Sequence, residues 1–213
     1  MSYGTPRQAF DVVLALILLV VTAPVFLLIA LAVRMSDPGP VLYRQRRLAP
    51  DGTPVTVLKF RTMRWAYCTG PSRPYETAEA AFRALGRADL ACAYQVAAKL
   101  AHDPRVTRVG RFLRRTSLDE LPQLVNVARG DLALVGPRPV STSEQQAHYA
   151  GLSSLRGVRA GLTGLWQVSG RSATSYAERV ALDVEYAARR SLLLDLTILA
   201  RTIFAVASGR GAY

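Results

Sequence analysis

From Val12 to Val33 the chain passes through 22 positions without a charge, closed by Asp11 on one side and Arg34 on the other. At about 1.5 Å rise per residue, a straight helix of that length reaches about 33 Å, enough for a bilayer core of about 30 Å. The stretch is too long for the apolar region of a cleavable signal peptide, and only Arg7 precedes it as a positive charge. Pro24, near the centre, removes a backbone donor and crowds the preceding turn. Two arrangements follow. One is a kinked transmembrane helix in which Thr22 or a neighbour satisfies the freed carbonyl; the other is a helix-break-helix that enters the membrane and returns to the same face. The pattern leaves both open. Arg7 before the run and Arg34, Arg44, Arg46 and Arg47 after it are compatible with both ends in the cytoplasm. In either arrangement the positive-inside rule keeps the large C-terminal part there.

Beyond the run, Asp37-Pro38-Gly39-Pro40 stops the helix, because proline cannot continue it and Gly39 permits a sharp turn. Val41 to Arg47 and Val55 to Arg61 read as two short strands joined by Pro50-Asp51-Gly52, a β-hairpin. Tyr75 to Leu85 and Arg87 to Leu100 read as helices in an Ala-rich region that Pro71 and Pro74 open as a loop. Leu121, Leu124, Val125 and Val127 predict a short helix ending at Gly130. A tight corner at Gly136-Pro137-Arg138-Pro139 and a glycine-punctuated segment from Gly161 to Arg171 follow. Two helices, about Ala173 to Arg190 and Leu192 to Ala207, close the chain; the last is strongly apolar and suits a core or a membrane interface. The predicted fold is α+β and predominantly helical: an N-terminal membrane helix-break-helix over 1–36, then a catalytic part over 37–213 with a small β-hairpin and amphipathic interfacial helices.

Composition narrows the partners. The formal net charge is +12, and of 27 basic residues only Lys59 and Lys99 are lysine. Arginine offers a planar fork that grips phosphate oxygens in pairs, so nucleic acid, anionic lipid and phosphorylated substrates all qualify. An arginine bias on solvated faces would look the same. No stacking aromatics alternate with the charges and no nucleic-acid reading motif is present, which disfavours nucleic acid. Cys68 and Cys92 stand apart, with neither metal spacing nor a disulfide framework, as in a reduced compartment. His102 and His148 are isolated, and Trp65 and Trp166 suit either packing or a membrane interface.

The chemistry-bearing candidate is the pair Asp119 and Glu120, which follows a run of arginines. Ser117-Leu118-Asp119-Glu120 is a capping-box pattern, and acidic residues suit a helix N-terminus, so pattern alone favours a structural role. If Pro122 opens the helix instead, the carboxylates precede it and can face a ligand. Arg114 lies five residues before Asp119, Arg138 sits in the rigid Pro-Arg-Pro corner and Lys59 ends the hairpin, a pattern that a plain surface ion-pair network would also give. A carboxylate meeting a diphosphate is repelled by about 4 kcal/mol per charge pair at 4 Å and an effective dielectric near 20. Such a site therefore needs several cations or a divalent metal.

At these residues the sequence resembles the monotopic phosphoglycosyl transferases, the bacterial sugar transferases that begin exopolysaccharide, capsule and O-antigen assembly. The matching stretches are Phe10-Asp11 with the Pro-broken apolar run, Pro38-Gly39-Pro40-Val41, Lys59-Phe60-Arg61-Thr62-Met63, Asp103-Pro104-Arg105 and Arg115 to Gln123. They continue through Gly130-Asp131, Leu134 to Pro139, Gly164 to Arg171 and Gly209 to Tyr213, covering nearly the whole chain in order. The resemblance implies that Asp119 is the nucleophile and Glu120 its acidic partner, the two associated with Mg2+. Asp119 would attack the β-phosphate of a UDP-sugar, release UMP and pass the sugar phosphate to undecaprenyl (polyprenyl) phosphate. Lys59, Arg114 and Arg138 would neutralise phosphates, with Gln167 and Arg171 as further substrate contacts; Asp183 and Asp195 match acidic positions without an assigned role. The resemblance also implies a re-entrant helix broken at Pro24, on the cytoplasmic face of the bacterial inner membrane among its lipids. Gly164-Leu165-Trp166-Gln167 and the C-terminal Gly211-Ala212-Tyr213 lean towards UDP-glucose or UDP-galactose. Two departures stand out: many members carry Ser-Pro where this chain has Ala23-Pro24, and Arg64 to Leu100 matches poorly.

Overall fold

A computed structural model describes residues 6–70, 73–97, 100, 102–170 and 174–207. Helix α1 spans Pro6–Ser36. Strands β1 (Leu42–Leu48) and β2 (Pro54–Phe60) pair antiparallel, with Tyr43 opposite Lys59 and Arg47 opposite Val55. The hairpin thus stands within one residue of its sequence boundaries. Helices α2 (Ala78–Ala84) and α3 (Ala88–Ala97) fill the Ala-rich region and share the small core of Phe82, Ala78 and Ala91. Helix α4 (Arg108–Thr116), hidden in the basic stretch, leads into a single 3-10 turn, Leu118–Glu120, and then α5 (Gln123–Arg129). Strand β3 (Ala133–Val135), α6 (Thr142–Glu144), β4 (Gly161–Thr163), α7 (Leu165–Ser169), α8 (Tyr176–Arg189) and α9 (Leu192–Ala207) complete the chain. Strands β3 and β4 form a second, parallel pair that the sequence pattern does not announce.

The main core joins Ala15 of α1 to Leu124 and Val127 of α5, Leu134 and Val135 of β3, Tyr186 of α8 and Ile198 of α9. A second core joins Ile29 and Val33 of α1 to Phe60 of β2 and Leu113 of α4. Burying one such side chain contributes about 1.5–3 kcal/mol, so both halves of α1 are held to the rest of the protein by packing. Asn126 ties α5 to the free edge of β2. Its Oδ1 accepts from the Leu58 N–H at 2.9 Å and its Nδ2 donates to the Thr56 carbonyl at 2.8 Å.

Helix α1 is the one described helix long and apolar enough to cross a membrane. The expected interruption at Pro24 does not appear: the helix continues through the proline. Thr22 Oγ1 donates to the Leu18 carbonyl at 2.6 Å, not to the Val20 carbonyl that Pro24 leaves without its usual partner. Burial along α1 is uneven. Ala15, Ile29 and Val33 are buried, whereas Val20, Val21, Ala23, Pro24 and Val25 are exposed, so the middle turn has little cover while each flank packs one face against the protein. Both ends are also pinned by charge. Arg7 binds Asp195 and the Tyr186 hydroxyl, Asp11 faces Arg159 at 3.9 Å, and Asp37 binds Arg61 and the Trp65 N–H.

Candidate active site

Three local features place the acidic pair. A Cβ on Gly110 would stand 1.9 Å from the Thr62 carbonyl oxygen, so only glycine lets α4 lie this close to the chain leaving β2. That approach lets Arg114 Nε donate to Thr62 Oγ1 at 2.9 Å. Ser117 then ends α4 in the left-handed region, at φ 58°, and turns the chain so that Asp119 and Glu120 fall on the 3-10 turn below Lys59. This corrects the capping expectation. The Ser117 side chain makes no capping bond, α5 begins only after Pro122, and the Glu120 carboxylate is used elsewhere. The third feature is the Gly136 corner, where a Cβ would lie 2.3 Å from the Arg159 carbonyl oxygen. Gly136 N–H donates to the Thr163 carbonyl at 2.9 Å, locking β3 to β4 and fixing the residue two positions on, Arg138.

The two carboxylates then diverge. Glu120 Oε1 accepts from Lys59 Nζ and from Arg138 Nη2, each at 2.8 Å, and Oε2 faces Arg138 Nη1 at 3.4 Å. Burial works to raise its pKa, but the Arg138 and Lys59 charges and their hydrogen bonds overcome this and hold Glu120 far below the usual carboxylate range. Among the described residues nothing donates a hydrogen bond to the Asp119 side chain. Burial pushes its pKa up, Lys59, Arg114 and Arg138 pull it down, and Glu120 adds to the rise. Arg138 is raised by the Glu120 charge, while Arg114 is lowered by burial. The site therefore holds one carboxylate clamped by two cations and, next to it, a half-buried one whose oxygens accept no hydrogen bond from the described residues.

The bacterial sugar transferase profile matches residues 3–209. The chain belongs to this family. Among similar proteins, exopolysaccharide production protein ExoY of Rhizobium meliloti is 43% identical over 210 residues, spanning 99% of this chain and 89% of that protein. ExoY of Sinorhizobium fredii is 41% identical over 212 residues with the same coverage. A UDP-glucose:undecaprenyl-phosphate glucose-1-phosphate transferase of Caulobacter vibrioides is 40% identical over 217 residues, spanning 97% of this chain and 72% of that protein.

In this sugar transferase Lys59, Arg138 and Glu120 are joined directly, and Arg114 stands near Asp119 through its charge. Gln167 lies apart, on α7 behind the Gly136 corner. Its Nε2 faces the Leu162 carbonyl at 3.4 Å, and its buried Oε1 has no partner among the described residues. Arg171 falls outside the described residues. Among the described residues no cluster of three metal-ligating side chains occurs. Two adjacent carboxylates, one with no hydrogen-bond donor on it among the described residues, still suit Mg2+, which binds through one or two carboxylates and takes its remaining oxygens from phosphate and water. Arg73 stands over the Trp65 ring at 4.9 Å and Arg179 over the Trp166 ring at 4.8 Å. Asp183 is fully buried on α8, with Tyr149 Oη donating to it at 2.9 Å and its Oδ1 unpartnered among the described residues. Burial raises its pKa to about 7 against that bond. Sequence reasoning missed the buried arginine pairs Asp37–Arg61 and Asp103–Arg105, which only the Lys59 to Met63 and Asp103-Pro104-Arg105 matches hinted at.

Proposed function

We propose that this protein transfers a hexose 1-phosphate from a UDP-hexose, UDP-glucose or UDP-galactose, to undecaprenyl phosphate, in two steps through Asp119. A carboxylate oxygen of Asp119 attacks the β-phosphorus of the donor. The bond from that phosphorus to the bridging oxygen breaks, and UMP leaves with the electron pair. The hexose 1-phosphoryl group remains on Asp119. A phosphate oxygen of the polyprenyl phosphate then attacks the same phosphorus, the bond to Asp119 breaks, and the free carboxylate returns as polyprenyl diphosphate hexose forms. Covalent catalysis divides a transfer between two anions into two steps, each with one anion to neutralise.

The division of labour within the acidic pair carries this reading. A nucleophile must keep an oxygen lone pair free, which describes Asp119; Glu120, bound to Lys59 and Arg138, holds those cations beside it. Arg114 keeps guanidinium donors beyond its bond to Thr62 and stands ready for the phosphoryl oxygens. Mg2+ held by Asp119 and Glu120 would neutralise phosphate charge. The sugar-nucleotide and lipid-carrier substrates are those named for the similar transferases.

The protein works on one leaflet, with α1 entering and leaving by the same face. The support is the pinning of both ends of α1 to one body and the bare turn around Pro24, the place where a helix bends. Its exposed Val20, Val21, Leu27, Leu28 and Leu31, with Leu193, Ile203 and Phe204 of α9 and Phe112 of α4, supply an apolar surface of the kind that lipid covers. The positive charge keeps the catalytic part on the cytoplasmic face. The test is UMP release by the detergent-purified protein given UDP-glucose or UDP-galactose, Mg2+ and undecaprenyl phosphate. Release that depends on the lipid for sustained turnover is expected; absence of UMP with every UDP-hexose would remove the reading.

A further inference from the structure

A buried arginine normally spends its donors on the protein. Arg61 shows the rule: it reaches the Asp37 carboxylate and the carbonyls of Asp37, Pro40 and Met63. Arg47, on β1, does not. Only about a quarter of its side chain is exposed, yet among the described residues its one side-chain partner is Glu144, at 3.4 Å from Nη1. A guanidinium carries five N–H donors, so most of this one is unspent. Burial works against its charge, and Arg138 stands near enough to oppose it further.

Glu144 offers limited relief, because it is already shared. It accepts from the Ser141 N–H at 2.7 Å and from the Tyr176 hydroxyl, and Ser141 and Glu144 form a reciprocal cap at the start of α6. Arg47 is therefore held in place by an acceptor that does not saturate it. It lines a cleft of about 350 Å³ at the turn end of the hairpin, together with Arg46, Thr56 and Thr142 and with no carboxylate in the lining. Arg46 and Arg47 alternate between the two faces of β1, and Arg47 lies on the face it shares with Tyr43 and Lys59. Its unspent donors, in electrostatic contact with Arg138 and with Thr142 in the same lining, suit a phosphate group.

We propose that this cleft is a second phosphate subsite beside the acidic pair, in which Arg47 grips a phosphate of one of the two substrates. Glu144 and Tyr176 are positioning residues that hold Arg47 in register with Arg138. The inference rests on the transferase reading for its two anions. These are the α-phosphate of the nucleotide, which leaves as UMP, and the phosphate of the lipid carrier, which arrives. Lys59 and Arg138 are engaged with Glu120, so a further cation is needed for the phosphate that stands beside the reacting phosphorus, the nucleotide α-phosphate in the first step and the lipid phosphate in the second.

The test separates the two sources. KM for UDP-glucose (or UDP-galactose, if that is the donor used) and KM for undecaprenyl phosphate are measured for the full-length protein and for Arg47→Gln, Arg47→Lys, Glu144→Gln and Thr142→Glu. Thr142 is exposed, so Thr142→Glu brings a carboxylate into the cleft without disturbing a core. Arg47→Gln and Thr142→Glu are each expected to raise one KM at least tenfold and leave the other within twofold. Glu144→Gln is expected to shift the same KM by less, and Arg47→Lys to restore part of it. A rise for the donor, with weaker UMP binding by calorimetry, assigns the nucleotide; a rise for the lipid alone assigns the carrier. Both KM values within twofold of wild type in Thr142→Glu and in a folded Arg47→Gln would overturn the subsite. If the wild-type protein released no UMP, the transferase reading would fall. The cleft would then still be tested by inorganic diphosphate, which the wild type is expected to bind and Thr142→Glu to lose; equal binding would overturn it.

Discussion

Arginines at the α1 seam and arginines around Asp119 are both largely buried, but they are bonded differently. At the seam, Arg7 reaches Asp195 and Tyr186, Arg61 reaches Asp37 and three carbonyls, and Arg159 reaches the Gly130 and Leu132 carbonyls. These guanidinium groups stitch the membrane helix to the rest of the chain. Around the acidic pair Arg138 is spent on Glu120, but among the described residues Arg114 has one hydrogen bond, to Thr62, and Arg47, farther along the hairpin, has one long contact, to Glu144. Burial depresses the pKa of both. A composition of +12 makes no distinction between the two groups; the count of unspent donors does.

The contrast can be broken most sharply at Asp119. Asp119→Asn is expected to reduce UMP release by at least about 10³-fold, because the amide is no nucleophile, while the melting temperature stays close to wild type, since among the described residues nothing donates a hydrogen bond to Asp119. At the seam the reverse is expected. Arg61→Ala leaves Asp37 with an uncompensated charge and should cost about 3–5 kcal/mol of stability. Activity should be lost only in proportion to the unfolded fraction, as read by denaturant unfolding in detergent beside single-turnover rates.

Arg114→Ala should fall between them, lowering kcat/KM by about 10²-fold, the scale of one lost transition-state donor, with little loss of stability. A large stability loss there would place Arg114 with the seam arginines.

Asp183 sharpens the comparison from the acidic side. Glu120 has two cations and stays ionised; Asp183 has one tyrosine and is raised to about 7. A carboxyl whose folded pKa is raised binds its proton more tightly when folded. Its contribution is complete below the unfolded pKa of about 4 and is lost as pH climbs to about 7, by up to about 1.4 kcal/mol per pH unit. Asp183→Asn should flatten the stability profile in that window. An unchanged slope between pH 4 and 7 would show that Asp183 is not its source.

The smallest effect is expected at Ser117. Glycine adopts a positive φ without the cost that serine carries, so Ser117→Gly should gain about 1 kcal/mol or less by thermal unfolding.

Local pattern in the amino-acid sequence accounts for much of the fold. The hairpin is legible because Pro50-Asp51-Gly52 separates two β-prone runs, and the ends of α5 and α9 lie close to where Gly130 and the apolar spacing place them. Helix α4 is hidden because its buried stripe is only Val109 and Leu113 amid arginines. Strands β3 and β4 are three residues each and lie far apart in sequence, too short for alternation to show. At the site, motif resemblance names Asp119 and Glu120, but local pattern points to a cap. Long-range pairing decides otherwise, because Lys59 and Arg138 outcompete the backbone of Ser117 for the Glu120 carboxylate. Arg47 reads in the sequence only as a charge near the membrane, since unspent donors are a property of its neighbours.

The central claim is that the uncommitted carboxylate of the pair becomes phosphorylated. Mass spectrometry of the protein incubated with UDP-hexose and Mg2+, without lipid acceptor, tests it directly. The account predicts a hexose phosphate adduct on the peptide that contains Asp119, absent in Asp119→Asn and discharged when undecaprenyl phosphate is added. Sustained turnover by the wild type with no adduct on that peptide under rapid quench would contradict it.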